Sequence, residues 1–162
     1  MNSITRCPWG RRATVLAIAL IAPAAVLLSA CNRGSAPVTT INVSGADFAF
    51  TPDKVSVPAG KVHLVFTNQS TTNQHELWVY PQNQPRLQEM VQAKEAGQDV
   101  EEKDYLQNVA GDVEDVPTGQ TQSFDATLQP GTYEFGCFVT STVDGRPRNH
   151  YALGMHFQLQ VI

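Results

Sequence analysis

The chain has 162 residues, with eleven basic and fifteen acidic side chains, four histidines and a net charge of −4. That length suits one domain of ordinary size, and without a basic patch nucleic acid is not an expected partner. No nucleophile motif and no glycine-rich phosphate loop occurs, so the sequence does not point to an enzyme.

The first element is a leader, expected over residues 1–30. Arg6, Arg11 and Arg12 precede an apolar run from Ala13 to Leu28, the layout of a secretory signal. Sixteen residues fall short of the ~20 that a membrane-spanning helix needs. The run ends in Leu28-Ser29-Ala30-Cys31, which resembles the lipobox of bacterial lipoproteins. The resemblance implies that Cys31 is lipidated and holds the protein on a membrane in the cell envelope or periplasm. Asn32, rather than an aspartate, follows the cysteine, which slightly favours the outer membrane. The leader holds three arginines and no acid, so the remaining chain carries eight basic against fifteen acidic groups, a net of −7. A basic redox partner suits that charge. Of three cysteines, Cys7 leaves with the leader and Cys31 is taken by lipid. Cys137 is then alone in an oxidising compartment, where it has no disulfide partner and metal binding gives it a purpose.

Residues 31–38, with Gly34, Ser35 and Pro37, read as a lipidated tether. From residue 39 the chain reads as short strands: 40–44, 47–50 and 54–57, a turn at Pro58-Ala59-Gly60, then 61–67 with Val62, Leu64 and Phe66 on one face and His63 at the surface. Further strands are expected at 75–80, 121–128, 132–138 and 155–162, with a turn at Gln129-Pro130-Gly131. Many short strands with frequent turn signals indicate an all-β sandwich or barrel. One region, about 84–115, departs from this. Leu87, Met90 and Val91 have helical spacing, and Gly97 divides the segment. Nine acids against two lysines between Glu89 and Asp115 make it an acidic helical insertion. It covers one side of the sandwich or offers an acidic docking surface, and Trp78 and Tyr80 are expected to pack against it.

The chemistry concentrates in four side chains. His75, Cys137, His150 and Met155 supply two imidazoles, one thiolate and one thioether, the set used by blue-copper electron-transfer sites. A structural zinc site would use closely spaced Cys or His pairs, which are missing here. Strand periodicity agrees, since residues two apart share a face. His75 lies with Leu77 and Val79, Cys137 with Tyr133 and Phe135, and Met155 with Phe157, Leu159 and Val161. Periodicity does not place His150, for which His156 is the substitute, although His156 falls on the opposite face.

His150-x3-Gly154-Met155 before an alternating final strand, Gly131-Thr132-Tyr133-x-Phe135-x-Cys137, and the stretch from Asp47 through Val57-Pro58-Ala59-Gly60 to Asn68 together resemble the cupredoxin family. The likeness spans 39–162. It implies a cupredoxin-like Greek-key β-sandwich with a short helical insertion, one copper ion on His75, Cys137, His150 and Met155, and one-electron transfer to a redox partner protein. Glu76, Tyr133, Phe135 and Phe157 are the expected surroundings of the metal, and an exposed edge of His150 the expected electron exit. Two features depart from the familiar carriers. Twelve residues, 138–149, separate Cys137 from His150, and Glu76 beside His75 would bring a carboxylate charge that favours Cu(II). His75-Glu76-Leu77 also resembles cupredoxin-like domains of periplasmic iron-uptake lipoproteins, so the alternative function is copper or iron binding and delivery.

Overall fold

The computed structural model describes residues 37–162. The leader, the lipobox with Cys31 and the first part of the tether lie outside the described residues. In chain order the strands are β1 (Thr39–Ala46), β2 (Ala49–Pro52), β3 (Ser56–Val57), β4 (Gly60–Asn68) and β5 (His75–Pro81). Helix α1 (Leu87–Glu95) and a 3-10 turn (Glu102–Asp104) follow. The chain then returns to strands as β6 (Gly111–Val116), β7 (Thr121–Leu128), β8 (Gly131–Gly136), β9 (Thr140–Val143), β10 (Arg146–Asn149) and β11 (His156–Val161).

Two sheets make the sandwich. One has the order β2-β1-β4-β7, the other β3-β11-β8-β5-β6, and β9-β10 stand apart as a hairpin. The pairs β1–β4 and β3–β11 are parallel and the remaining ladders antiparallel. Alternation along β1 and β4 turns Ile41, Val43, Val62, Leu64 and Phe66 inward, against Leu77, Val79, Phe135, Leu159 and Val161 of the second sheet. Each fully buried side chain of this size contributes roughly 1.5 to 3 kcal/mol.

Strand β5 is buried along both faces. Leu77 and Val79 face the core between the sheets, and His75 is buried at the head of the strand, ahead of a bulge. Trp78 and Tyr80 face outward into a second apolar cluster with Leu87, Met90 and Val91 of α1, Leu106 and Phe138. The insertion thus covers the outer face of β5, as Trp78 and Tyr80 led us to expect. Gly97, in the left-handed region at φ 77°, follows the C-terminus of α1 and divides the segment. The insertion is shorter than the sequence reading: residues 111–115, expected within it, belong to β6, which pairs with β5. The acidic pattern Asp112, Glu114, Asp115 masked a strand that buries only Val113 and Val116 inward.

Candidate metal centre

At one pole of the sandwich the start of β5, the end of β8 and the segment after β10 converge. His75 opens β5, Cys137 directly follows β8 and His150 directly follows β10. Nδ1 of His75 lies 3.1 Å from Nδ1 of His150. Sγ of Cys137 lies 3.5 Å from Nδ1 of His150 and 3.8 Å from Nδ1 of His75. All three residues are fully buried, and among the described residues Cys137 is the one free cysteine. Metal–donor bonds of about 2.0 to 2.3 Å set three donors around one ion roughly 3.5 Å apart, so the observed spacing fits a single ion. The soft thiolate with two imidazoles suits copper.

Burial shapes the protonation of these groups. It pushes the Cys137 thiol strongly upward, with the nearby Glu76 adding to the shift. Burial also lowers His75, and it lowers His150 to about 4, helped by the neighbouring His75. Both imidazoles therefore present neutral lone pairs at neutral pH. Nε2 of His75 has no partner, which leaves its Nδ1, on the donor cluster, as the ring's polar contact.

Twelve intervening residues return His150 to Cys137 because they fold on themselves. Asp144 and Gly145, both in the left-handed region at φ 50° and 75°, form the two-residue turn of the β9–β10 hairpin. Buried Asn149 clamps the base: its Nδ2 donates to Phe138 O at 2.7 Å and its Oδ1 accepts from Tyr151 N at 3.1 Å. His150 N donates to Val139 O at 2.8 Å, Met155 N to His150 O at 2.9 Å and Cys137 N to Met155 O at 3.1 Å. Gly154, at φ 104°, supplies the turn between His150 and Met155. Met155 is fully buried, and a Cβ on Gly45 would stand 3.1 Å from its terminal methyl and 2.8 Å from the Phe66 ring. Gly45 keeps β1 close enough to seal that side.

The other expected residues fall as follows. His156 points away from the cluster, stacks on Tyr151 at 4.3 Å and pairs with Glu134 at 3.2 Å, so His150 is the histidine brought to the site. His63 meets Asp125 at the surface. Phe135 and Phe157 stack at 4.5 Å within the core. Tyr133 sits at the far end of β8, its hydroxyl accepting from Gln129 N at 3.1 Å, and closes the β7–β8 turn instead. Glu76 turns to the outer face and its Oε1 accepts from Phe138 N at 2.7 Å. Burial, then repulsion from Glu102, raises its carboxyl to about 8. A buried carboxyl favours its proton, so in the metal-free protein Glu76 is largely neutral at neutral pH. Nor is His150 an exposed edge. It is 0 % exposed, covered by Ser141 of β9 and by the Phe48 ring edge-on at 4.9 Å.

Sequence reasoning missed Asn68, Asn73, Ser141 and Asn149. Asn68 is fully buried; its Nδ2 donates to Asn73 O and Val116 O, both at 2.9 Å, and its Oδ1 accepts from Ser70 N. It fixes the 69–74 loop that delivers His75. The signal available was Asp144-Gly145, which marks the hairpin carrying Ser141 and Asn149.

The sequence profile of a family described as a cupredoxin-like domain matches residues 16–146. That span includes His75 and Cys137 and stops short of His150 and Met155. No curated protein matches significantly. Among solved structures, the reduced auracyanin of Roseiflexus castenholzii is 23 % identical with a TM-score of 0.57, covering 76 % of this chain and 97 % of its own. Auracyanin A of Chloroflexus aurantiacus, a "blue" copper protein, is 24 % identical with a TM-score of 0.54, covering 78 % and 100 %. Rusticyanin of Thiobacillus ferrooxidans is 16 % identical with a TM-score of 0.54, covering 79 % of each chain. The fold thus brings His75, Cys137 and His150 together as a candidate site for one metal ion, with the buried Met155 tied to that pole by its backbone bonds to His150 and Cys137.

Proposed function

The chain belongs to the cupredoxin-like domain family, and from that premise we propose that it is a copper-dependent one-electron carrier. The observation that carries the reading is the convergence of one thiol and two imidazole nitrogens within 3.8 Å of one another in a fully buried setting. Copper, when bound, supplies the Cu(I)/Cu(II) couple. The chain's part is to fix the donors through Asn149, Asn68 and the backbone bonds joining Cys137, His150 and Met155. It also keeps water out, so that little rearranges on redox change. Enclosure of His150 favours the carrier over a copper or iron delivery module, whose site must open to an acceptor. Voltammetry of the copper-loaded protein separates the two. A reversible one-electron wave with copper retained over repeated cycles is expected. Loss of copper to a chelating acceptor on each reduction would refute the carrier reading.

We further propose that the domain works outside the cytoplasm, anchored by lipid on Cys31 and exchanging electrons with a partner protein of basic surface. The arginine-led leader and Leu28-Ser29-Ala30-Cys31 support the anchor, and the net of −7 beyond the leader supports the partner's charge. Labelled fatty acid should enter the wild-type protein and not Cys31→Ser; equal labelling of both would remove the anchor.

A further inference from the structure

Every copper ligand needs one free nitrogen or sulfur, and a histidine has two nitrogens to choose from. At His150 the choice is made by a neighbour. Nδ1 faces the donor cluster, while Nε2 lies 2.8 Å from Ser141 Oγ. Ser141 Oγ in turn lies 3.1 Å from Asn73 Oδ1. A carboxamide oxygen only accepts, so the hydroxyl proton goes to Asn73. The serine oxygen then has lone pairs, and it accepts from Nε2–H of His150. This leaves Nδ1 unprotonated, the form a metal requires.

We propose that Ser141 is a positioning residue that holds His150 as the Nε2–H tautomer and aims its Nδ1 at the copper. The inference rests on the copper reading above. Three further observations support it. Ser141 is carried on β9, within the twelve residues that separate Cys137 from His150, so the departure from a short connection is what brings the hydroxyl in. Asn73, its anchor, lies two residues before His75, so one hydrogen-bonded chain spans both histidine-bearing segments. Phe48 presses on the same imidazole from β1–β2 while holding a left-handed backbone at φ 68°, a strained conformation for a bulky residue that surrounding structure must maintain. By contrast the outer nitrogen of His75 has no such partner. The hairpin therefore works on one ligand of the pair.

The test uses the full domain with Ser141→Ala and Ser141→Thr. In metal-free protein at neutral pH, nitrogen-15 NMR should find His150 as a single Nε2–H tautomer in the wild type and in Ser141→Thr. In Ser141→Ala the Nδ1–H tautomer should appear. Copper affinity, measured by chelator competition, should fall about 10- to 100-fold in Ser141→Ala, as for other residues that orient metal-bound histidines, and recover in Ser141→Thr. Ser141→Ala with wild-type tautomer and wild-type affinity would overturn the proposal and leave the copper reading standing. Failure of the wild type to bind copper would overturn that reading, while the tautomer measurement still decides the role of Ser141.

Discussion

Two side chains at the pole behave differently from their residue type. Phe48 occupies the second position of the two-residue turn between β1 and β2 with φ 68°. A left-handed backbone costs a side-chain-bearing residue about 1 to 2 kcal/mol, and glycine is spared that cost. Phe48→Gly should therefore be more stable to denaturant than Phe48→Ala by about 1 kcal/mol, the reverse of the usual order in a helix; an alanine variant at least as stable would show that the turn carries no strain. Glu76 has its folded-state carboxyl raised to about 8 from an ordinary 4.5, first by burial and then by Glu102. The folded protein thus binds this proton more tightly than the unfolded chain. Its contribution is fully present below about pH 4.5 and is lost as pH rises through about 8, at no more than about 1.4 kcal/mol per pH unit. Glu76→Gln keeps an oxygen for Phe138 N and does not titrate. In metal-free protein its stability should stay flat where the wild type declines, and parallel pH curves would contradict this assignment.

At the scale of elements, strands announce themselves where one face is buried. Val62, Leu64 and Phe66 of β4 gave the period directly, and so did the inward set of β11. The same period is what singled out His75, Cys137 and Met155 as proposed ligands, by the face each shares with apolar residues in the sequence. Strand β6 was hidden because only Val113 and Val116 mark it amid acids. Strands β9 and β10 were hidden because they form a hairpin apart from both sheets, with few apolar side chains to alternate. The cover over His150 was consequently illegible: it depends on Ser141 and Phe48, polar and strained residues whose roles arise only from tertiary contact. Tyr133 shows the complementary limit. It shares a face with Cys137, yet four residues along a strand is roughly 13 Å, and its hydroxyl serves the opposite end of the sandwich.

For the whole molecule, the sandwich and the insertion divide the work. The core between the sheets fixes the relative positions of β5 and β8, and so of His75 and Cys137. The insertion buries the outer face of β5 and reaches the hairpin through Glu95, which accepts from Arg148 Nε at 3.3 Å and Asn149 N at 3.2 Å. Both serve a single pole where burial favours the protonated Cys137 thiol, so that metal binding there would displace a proton. The most direct measurement is the visible absorption and paramagnetic-resonance spectrum of Cu(II)-loaded protein. An intense band from Cys137 thiolate to copper, abolished in Cys137→Ser, is expected. A colourless complex, or a band that survives the substitution, would contradict the site on which the proposed function stands.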